Sequence, residues 1–287
     1  MFPERSDHLD ANIFSIIIPT LNSGATISKA LASIQAQSFL DYEVIVIDGV
    51  SDDDTASIVK TYAQANPRIK WVSEKDEGIY FAMNKGIQLA LGKWIFFLGS
   101  DDYLFSSDVL ATVHENIVQN RNVEMVYGNV WLSEPMSPYI DTCLYGAKYT
   151  GEKLLRRNIC HQCIFYQRKL FKRFGLYKTN YVIFGDWDFN LRIFNKIKSL
   201  YIDKVIAFYN IGGLSGKSHH LDNFFGKDFL ENMATHYSYS YRDAFFNNRK
   251  KELFQILLKQ IGLYKFLAAV KISRILAYQV LPQSHRK

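Results

Sequence analysis

Short apolar runs alternate with amphipathic stretches along the first half of the chain. Four apolar runs predict β-strands at residues 14–18, 44–47, 69–72 and 94–98. Between these runs, apolar residues recur at helical spacing, which predicts helices over 26–37, 54–65 and 79–91. Strands that are apolar on both faces and are separated by amphipathic helices are typical of parallel βαβ units. The pattern therefore predicts a doubly wound α/β layer.

The pattern becomes less regular in the second half. A helix is predicted over 107–119 and a strand over 123–132, and two prolines, Pro135 and Pro138, follow closely. One more long strand is predicted over 200–208. The chain therefore changes its organisation soon after residue 132.

This change suggests how the chain is divided. We expect one domain over residues 1–220, in which 13–132 forms a first part and 133–220 a second part, and a helical extension over 221–287. The sequence contains no internal repeat and no low-complexity tract. With 48% hydrophobic and 22% charged residues in a chain of 287, the composition suits a globular protein with a sizeable core.

Positive charge is concentrated near the carboxyl terminus. The formal charge is +6, and residues 242–287 carry ten Lys or Arg against two Asp or Glu, which leaves −2 for residues 1–241. This clustering argues against a nucleic-acid-binding fold as a whole and indicates that the extension meets something anionic, either membrane phospholipid or nucleic acid. Around 251–261 the apolar and charged residues lie on opposite helix faces, which favours an anionic membrane surface. Packing on the domain or on a second protomer is the alternative.

The sequence also gives an expected location. Charged residues interrupt every apolar run well before the roughly 20 residues that a membrane-spanning helix requires. Three cysteines are too few and too unevenly placed for a disulfide framework, and the amino terminus shows no leader pattern. We therefore expect a cytoplasmic protein that is peripheral on the inner face of the cell membrane.

Acidic residues stand where two of the predicted strands end. Asp48 follows the second apolar run, and Asp101 and Asp102 follow the fourth. The carboxyl ends of parallel strands form the edge at which open α/β sheets bind ligands, and buried carboxylates need a cation or hydrogen bonds there. A divalent metal that holds a phosphate is one explanation. The other is that Ser100 and Asp101 cap the helix that follows.

Four motifs occur in a fixed order along the first half. They are Pro19-Thr20-Leu21-Asn22, Asp48-Gly49-Val50-Ser51 with the Asp and Thr residues after it, Gly78 to Gly86, and Gly99-Ser100-Asp101-Asp102. In this order and spacing they resemble the family 2 glycosyltransferases, which are inverting nucleotide-sugar enzymes with a GT-A fold. The resemblance covers roughly residues 13–215. It implies a mostly parallel, Rossmann-like nucleotide-sugar half and an acceptor half.

The resemblance further implies a donor pocket in the first half. Its residues would be Pro19, Thr20, Asn22, Asp48, Asp76, Asn84, Lys85, Ser100 and Asp101. Asp48 would accept hydrogen bonds from the base or the ribose. Asp101, with the adjacent Asp102, would ligate Mg²⁺ or Mn²⁺ at the diphosphate, because hard oxygen ligands suit these ions.

A motif in the second half resembles the acceptor site of the same family. Residues 184–192 open a predicted helix, in which Asp186 takes the position of the base that removes the proton of the acceptor hydroxyl. The residues implied on the acceptor side are His161, Gln162, Trp187 and Asp188. The non-catalytic alternative is that Asp186 and Asp188 are acids that the macrodipole favours at a helix amino terminus.

Some positions depart from the family's pattern. Gly99 and Gly185 take the places of acidic residues in two motifs, and Phe81 and Met83 take the places of Asp and Arg. The loss at position 99 leaves a metal with one carboxylate fewer.

The function implied is transfer, with inversion, of a sugar from a nucleoside-diphosphate donor to a saccharide or lipid-linked oligosaccharide in surface-polysaccharide biosynthesis. UDP or GDP is the expected nucleotide. A sugar-nucleotide or glycan-binding module without activity, built on the same fold, is the alternative, and it would tolerate Gly99. The motifs do not identify the sugar, the linkage or the oligomeric state.

Overall fold

The computed structural model describes residues 13–134, 143–155 and 157–213. The strands are β1 Phe14–Thr20, β2 Tyr42–Asp48, β3 Ile69–Ser73, β4 Trp94–Phe97, β5 Tyr103–Leu104, β6 Met125–Leu132, β7 Leu144–Tyr145, β8 Ile164–Gln167 and β9 Ser199–Tyr209. The helices are α1 Ile27–Gln35, α2 Thr55–Ala65, α3 Ile79–Leu89, α4 Val109–Gln119, α5 Gly151–Leu154, α6 Lys169–Phe174 and α7 Gly185–Ile193. Two 3₁₀ turns lie at His161–Cys163 and Phe194–Lys196.

Across the described ranges the strands form a single sheet in the order β3-β2-β1-β4-β8-β6-β9-β5, with β7 paired to β6. The first four strands are parallel, which confirms the predicted βαβ layer. Beyond them the sheet is mixed, because β8 runs antiparallel to both β4 and β6 while β9 runs parallel to β6. The structure is therefore an α/β fold in which the first half of the sheet is parallel and the second half is mixed.

The amino ends of three neighbouring strands are tied together by one buried acid. Glu43 accepts hydrogen bonds from Ser15 Oγ at 2.7 Å, the Leu91 N–H at 2.6 Å and Lys70 Nζ at 2.7 Å. Burial raises the pKa of Glu43, but the bonds from Lys70, Ser15 and Leu91 outweigh it and leave that pKa below its ordinary value. Glu43 thus links the strands at this end of the sheet. The loops at the opposite end are the candidate site.

Close packing holds helix α3 against the sheet and joins the two halves of the domain. A side chain at Gly86 would place its Cβ 2.4 Å from Ile17 Cγ2, so α3 lies directly on β1 only because residue 86 is glycine. Phe96 on β4 stacks on Phe165 of β8 with ring centroids 4.5 Å apart. The side-chain amide of Asn84 pairs with the backbone of Tyr177 in both directions, at 2.9 and 3.0 Å.

The predicted elements of the first half, and the long strands β6 and β9, begin and end within two residues of their observed bounds. Between β7 and α6, residues 161–163 form a 3₁₀ turn and β8 follows it directly. The predicted extension over 221–287 lies outside the described residues. Among the described residues, no helix is long and apolar enough to cross a membrane.

Candidate functional site

The carboxyl ends of β1, β2 and β3 meet at one edge, with Thr20 beside Asp48 and Asp48 beside Ser73. The buried Thr20 Oγ1 has no hydrogen-bond partner among the described residues. Pro19 lies within β1 and is in register with Ile47 of β2. A buried hydroxyl at the mouth of the sheet is available for a ligand.

Asp48 organises the loop that follows β2. Its side chain is fully buried (0% exposed), and Oδ1 accepts hydrogen bonds from the Ser51 N–H at 3.1 Å and Ser51 Oγ at 2.5 Å. Oδ2 accepts from Ser73 Oγ at 2.7 Å. Asn22 completes the loop, because its Oδ1 accepts from the Asp52 N–H at 3.0 Å. Contact of Asp48 with a base or ribose stays a prediction.

Two residues of these loops have left-handed backbone geometry. Asn22 has φ of 50° and Val50 has φ of 66°. Asn adopts this region readily, but a β-branched residue does so at a cost of roughly 1–3 kcal/mol. Val50 is more than half exposed at this edge. The loop after β2 is thus held in an unusual conformation beside the candidate donor pocket.

The turn after β4 requires glycine at its first position. A Cβ on Gly99 would lie 2.4 Å from Asp102 Oδ2 and 3.0 Å from Asp101 Oδ1. Asp102 is only 1% exposed, and its Oδ1 accepts from the Asn210 N–H at 2.8 Å while Oδ2 accepts from Gln162 Nε2 at 3.0 Å. The Asp102 carboxylate therefore occupies the space that a side chain at residue 99 would need.

The two adjacent carboxylates are electrostatically unfavourable. Burial, and then the neighbouring charge of Asp101, raise the pKa of Asp102 to about 7. Burial also raises the pKa of Asp101. A bound cation would stabilise the ionised form of both, which is the electrostatic argument for a metal here.

Asp101 fits a metal better than Asp102 does. Asp101 is partly exposed, and Asn210 Nδ2 lies at the long distance of 3.4 Å from its Oδ2. Each oxygen of Asp102 already accepts one hydrogen bond, which helps to position the turn, and the expected ligand role of Asp102 stays a prediction. The described residues contain no group of three or more His, Cys, Asp or Glu arranged to hold a metal ion. A metal at Asp101 would need oxygens from a diphosphate or water.

Asp186 lies in the first turn of α7, where acids are favoured, and is 7% exposed. Asn158 Nδ2 donates to its Oδ2 at 2.7 Å, and His161 Nδ1 lies 3.5 Å from the same oxygen. Tyr80 Oη lies 3.3 Å from Oδ1. The predicted base is therefore surrounded by three side chains from other elements.

The 3₁₀ turn at 161–163 joins the two acidic centres. Gln162 contacts Asp102, and the preceding residue, His161, contacts Asp186. One short turn thus touches the donor-side turn on one side and the predicted base on the other. No pattern in the sequence predicted that Asp102 and Asp186 would contact the same short turn.

Several predicted site residues have structural partners. Asp188 is fully buried and pairs with Arg192 Nε at 2.8 Å and Lys178 Nζ at 3.1 Å, as expected of a helix-terminal acid. Trp187 Nε1 donates to the Leu154 carbonyl at 2.8 Å. Both residues therefore fix α7 in place.

The same holds for part of the predicted donor pocket. The Asn84 amide is used by Tyr177, which gives Asn84 a role in joining the halves. Lys85 pairs with Glu74 at 2.9 Å. Asp76 Oδ1 accepts from the Gly78 N–H at 3.0 Å, and Ser100 Oγ lies 2.8 Å from Ser23 Oγ. Contact of these side chains with a donor stays a prediction.

Three residues of the site had no role assigned from the sequence. Tyr80 and Asn158 contact Asp186, and Asn210 contacts Asp102. No local pattern singles out Asn158. Tyr80 lies inside the third motif, and Asn210 lies just before two adjacent glycines, Gly212 and Gly213, which is a signal for a flexible loop.

Several known proteins are similar to this chain in sequence. The profile of Glycosyl transferase family 2 matches residues 15–175. PGL/p-HBAD biosynthesis glycosyltransferases of Mycobacterium bovis and Mycobacterium tuberculosis are 40% identical over 210 residues, which is 71% of this chain and 80% of theirs. A GalNAc(5)-diNAcBac-PP-undecaprenol beta-1,3-glucosyltransferase of Campylobacter jejuni is 37% identical over 117 residues, 40% of this chain and 37% of its own.

Solved structures share the fold. S. aureus TarS 1–349 in complex with UDP-GlcNAc has a TM-score of 0.66 at 19% identity, over 90% of this chain and 81% of the TarS 1–349 chain. The mannosyltransferase PcManGT from Pyrobaculum calidifontis, in complex with GDP-Man and Mn²⁺, has a TM-score of 0.56 at 17% identity, over 95% of this chain and 77% of its own.

Proposed function

Because the chain belongs to glycosyl transferase family 2, we propose that it moves a sugar from a nucleoside-diphosphate sugar to an acceptor hydroxyl with inversion. The observation that carries this proposal is the 3₁₀ turn at 161–163. Its contacts hold an acidic donor-side turn and a single buried carboxylate on either side of one short segment. Direct displacement with inversion needs a leaving-group site and a base close to each other, and the proposal assigns these roles to the two sides of this turn.

On the acceptor side, Asp186 accepts the proton of the attacking hydroxyl. Asn158 holds Oδ2 of Asp186, which fixes the carboxylate before the acceptor arrives. His161 lies beside the same oxygen and can orient the acceptor or the carboxylate. As the hydroxyl oxygen bonds to the anomeric carbon, the bond to the diphosphate breaks on the opposite face, and the configuration inverts.

On the donor side, Asp101 would hold Mg²⁺ or Mn²⁺ against the diphosphate. Such an ion supplies positive charge to the leaving group. Thr20 Oγ1 and the loop organised by Asp48 would contact the nucleotide. The support for the ion is the raised pKa of both carboxylates and the Mn²⁺ named for PcManGT.

We propose a glycolipid or lipid-linked saccharide as the acceptor. The support is the similarity to a PGL/p-HBAD biosynthesis glycosyltransferase and to a glucosyltransferase named for a PP-undecaprenol compound. The cationic residues of 242–287 would bring the enzyme to an anionic membrane surface. Deletion of residues 248–287 should then abolish cosedimentation with phosphatidylglycerol vesicles, and unchanged cosedimentation would contradict that part of the proposal.

The test of the reaction is release of free nucleoside diphosphate from a panel of UDP-, GDP- and dTDP-sugars, with Mn²⁺ or with EDTA. Water serves as the acceptor, so no natural acceptor is needed. We expect metal-dependent release from one donor, its loss in Asp101→Ala, and unchanged release in the control Glu115→Ala, which alters an exposed acid on α4. Tight nucleotide binding without release from any donor would favour the non-catalytic module instead.

A further inference from the structure

The ring of Tyr80 occupies the space that a side chain at residue 185 would need. A Cβ on Gly185 would lie 2.8 Å from Tyr80 Cε2 and Cζ and 3.0 Å from Cδ2. The ring is 4% exposed and packs against Tyr177 with ring centroids 5.5 Å apart. It cannot move away freely, so glycine at 185 is required by the close approach of α3 to α7.

The hydroxyl of Tyr80 contacts the start of α7 at three points. It donates to the Ile183 carbonyl, and it lies 3.3 Å from Asp186 Oδ1. The N–H of Asp186 donates to it at 3.3 Å. One side chain therefore holds the backbone before Asp186, the backbone of Asp186 and its carboxylate.

Tyr80 belongs to the donor-side half of the molecule. It lies in the first turn of α3, which follows the turn in which Asp76 accepts from the Gly78 N–H. Asp76 Oδ2 lies 3.1 Å from the position of a Cβ on Gly49, directly after β2 and Asp48. The turn before α3 thus lies beside the loop after β2, and the first turn of α3 contacts Asp186.

We propose that Tyr80 is a positioning residue that fixes Asp186 relative to the donor pocket, a proposal that rests on the function proposed above. Its ring sets the distance between α3 and α7, and its hydroxyl sets the orientation of the first turn of α7. A misplacement of about 1 Å at a reacting group can cost on the order of 100-fold in rate. Tyr80 should therefore affect turnover far more than donor affinity.

The test uses the full chain, the donor that gives the largest release in the panel, and water as the acceptor. Tyr80→Phe keeps the ring and removes the hydroxyl. We expect kcat for nucleotide release to fall about tenfold, with the donor Kd from calorimetry unchanged within about twofold. The matched control is Tyr62→Phe on α2, whose hydroxyl donates to the Ser28 carbonyl away from this site, and it should retain full activity.

A double-mutant cycle tests the ring separately. Gly185→Ala places a methyl group against the ring and should lower kcat about 100-fold. In the Tyr80→Leu background the same substitution should cost less than about twofold, because the ring atoms it would meet are absent. Equal cost in both backgrounds would overturn the proposal.

Two further results would overturn it. Wild-type kcat in Tyr80→Phe would remove the role of the hydroxyl, and a parallel loss of kcat and donor affinity would assign Tyr80 to the donor pocket. If the wild-type chain releases nucleotide from no donor, the proposed function fails and the positioning role falls with it. An active wild type with an unaffected Tyr80→Phe overturns the positioning role alone.

Discussion

Asp48 and Asp186 are both buried carboxylates of the candidate site, but they are held in different ways. Asp48 accepts its hydrogen bonds from Ser51 in its own loop and Ser73 at the end of the adjacent strand. Asp186 is surrounded by Tyr80, Asn158 and His161, which come from α3, a loop and the 3₁₀ turn.

The difference separates two kinds of functional acid. Asp48 has no exposed surface and uses both oxygens within the protein, so its main contribution is to the shape of the donor loop. Asp186 retains some exposure, and the groups around it orient it without enclosing it. Changes at Asp48 should therefore cost stability, and changes at Asp186 should cost turnover.

The largest expected effect is at Asp186. Asp186→Asn keeps the side-chain shape and removes the base, so kcat for transfer or nucleotide release should fall about 10²- to 10⁴-fold. The donor Kd from calorimetry and the thermal midpoint should stay near those of the wild type. Loss of donor affinity in this variant would make Asp186 a structural acid like Asp48 and remove the contrast.

The next effect concerns pH and the buried charge of Asp102. Its folded-state pKa of about 7 lies above the ordinary value of 3.8, so the folded state binds this proton more tightly than the unfolded chain does. The stability linked to Asp102 is thus present below about pH 4 and is lost as pH rises to about 7.

Urea unfolding in EDTA, at several pH values, measures this effect. The free energy of unfolding should decline by about 2–4 kcal/mol over that range through Asp102. Asp102→Asn carries no charge and should lack this part of the decline. Parallel curves for the wild type and the variant would show that ionisation of Asp102 does not destabilise the folded state, which would contradict the prediction.

A smaller loss of stability is expected at Asp48. In Asp48→Asn one acceptor becomes an NH₂ group that faces serine donors, which should lower the free energy of unfolding by about 2 kcal/mol. Asp52→Asn, an exposed acid of the same loop, is the control and should be neutral. If Asp48→Asn leaves stability unchanged but weakens donor binding, Asp48 is a direct ligand contact.

The smallest effect is expected at Asn158. Asn158→Ala removes the 2.7 Å hydrogen bond to Asp186 and one to Asn190, and kcat should fall about tenfold through a less well oriented carboxylate. Steady-state kinetics should show little change in the donor KM. Asn116→Ala on α4, whose amide bonds to its own helix, is the control. A large rise in the donor KM would mean that Asn158 also affects donor binding. The roles of the two halves would then not be separate.

The parallel layer was predictable because its signals are local. Apolar runs and helical periodicity located β1 to β4 and α1 to α3 within two residues of their bounds. The second half was less predictable. Two-residue strands such as β7 and four-residue helices such as α5 carry too few positions for a period to show.

The sequence by itself determined the α/β class, the order of the motifs and the family, because each depends on residues close together in the chain. Only the tertiary structure decided which side chains hold each acid of the candidate site. It placed the Asp102 carboxylate over Gly99 and the Tyr80 ring over Gly185, so that both glycines follow from close packing. Contacts between residues as far apart as Tyr80 and Asp186 arise from packing of the two halves, and no local pattern encodes them.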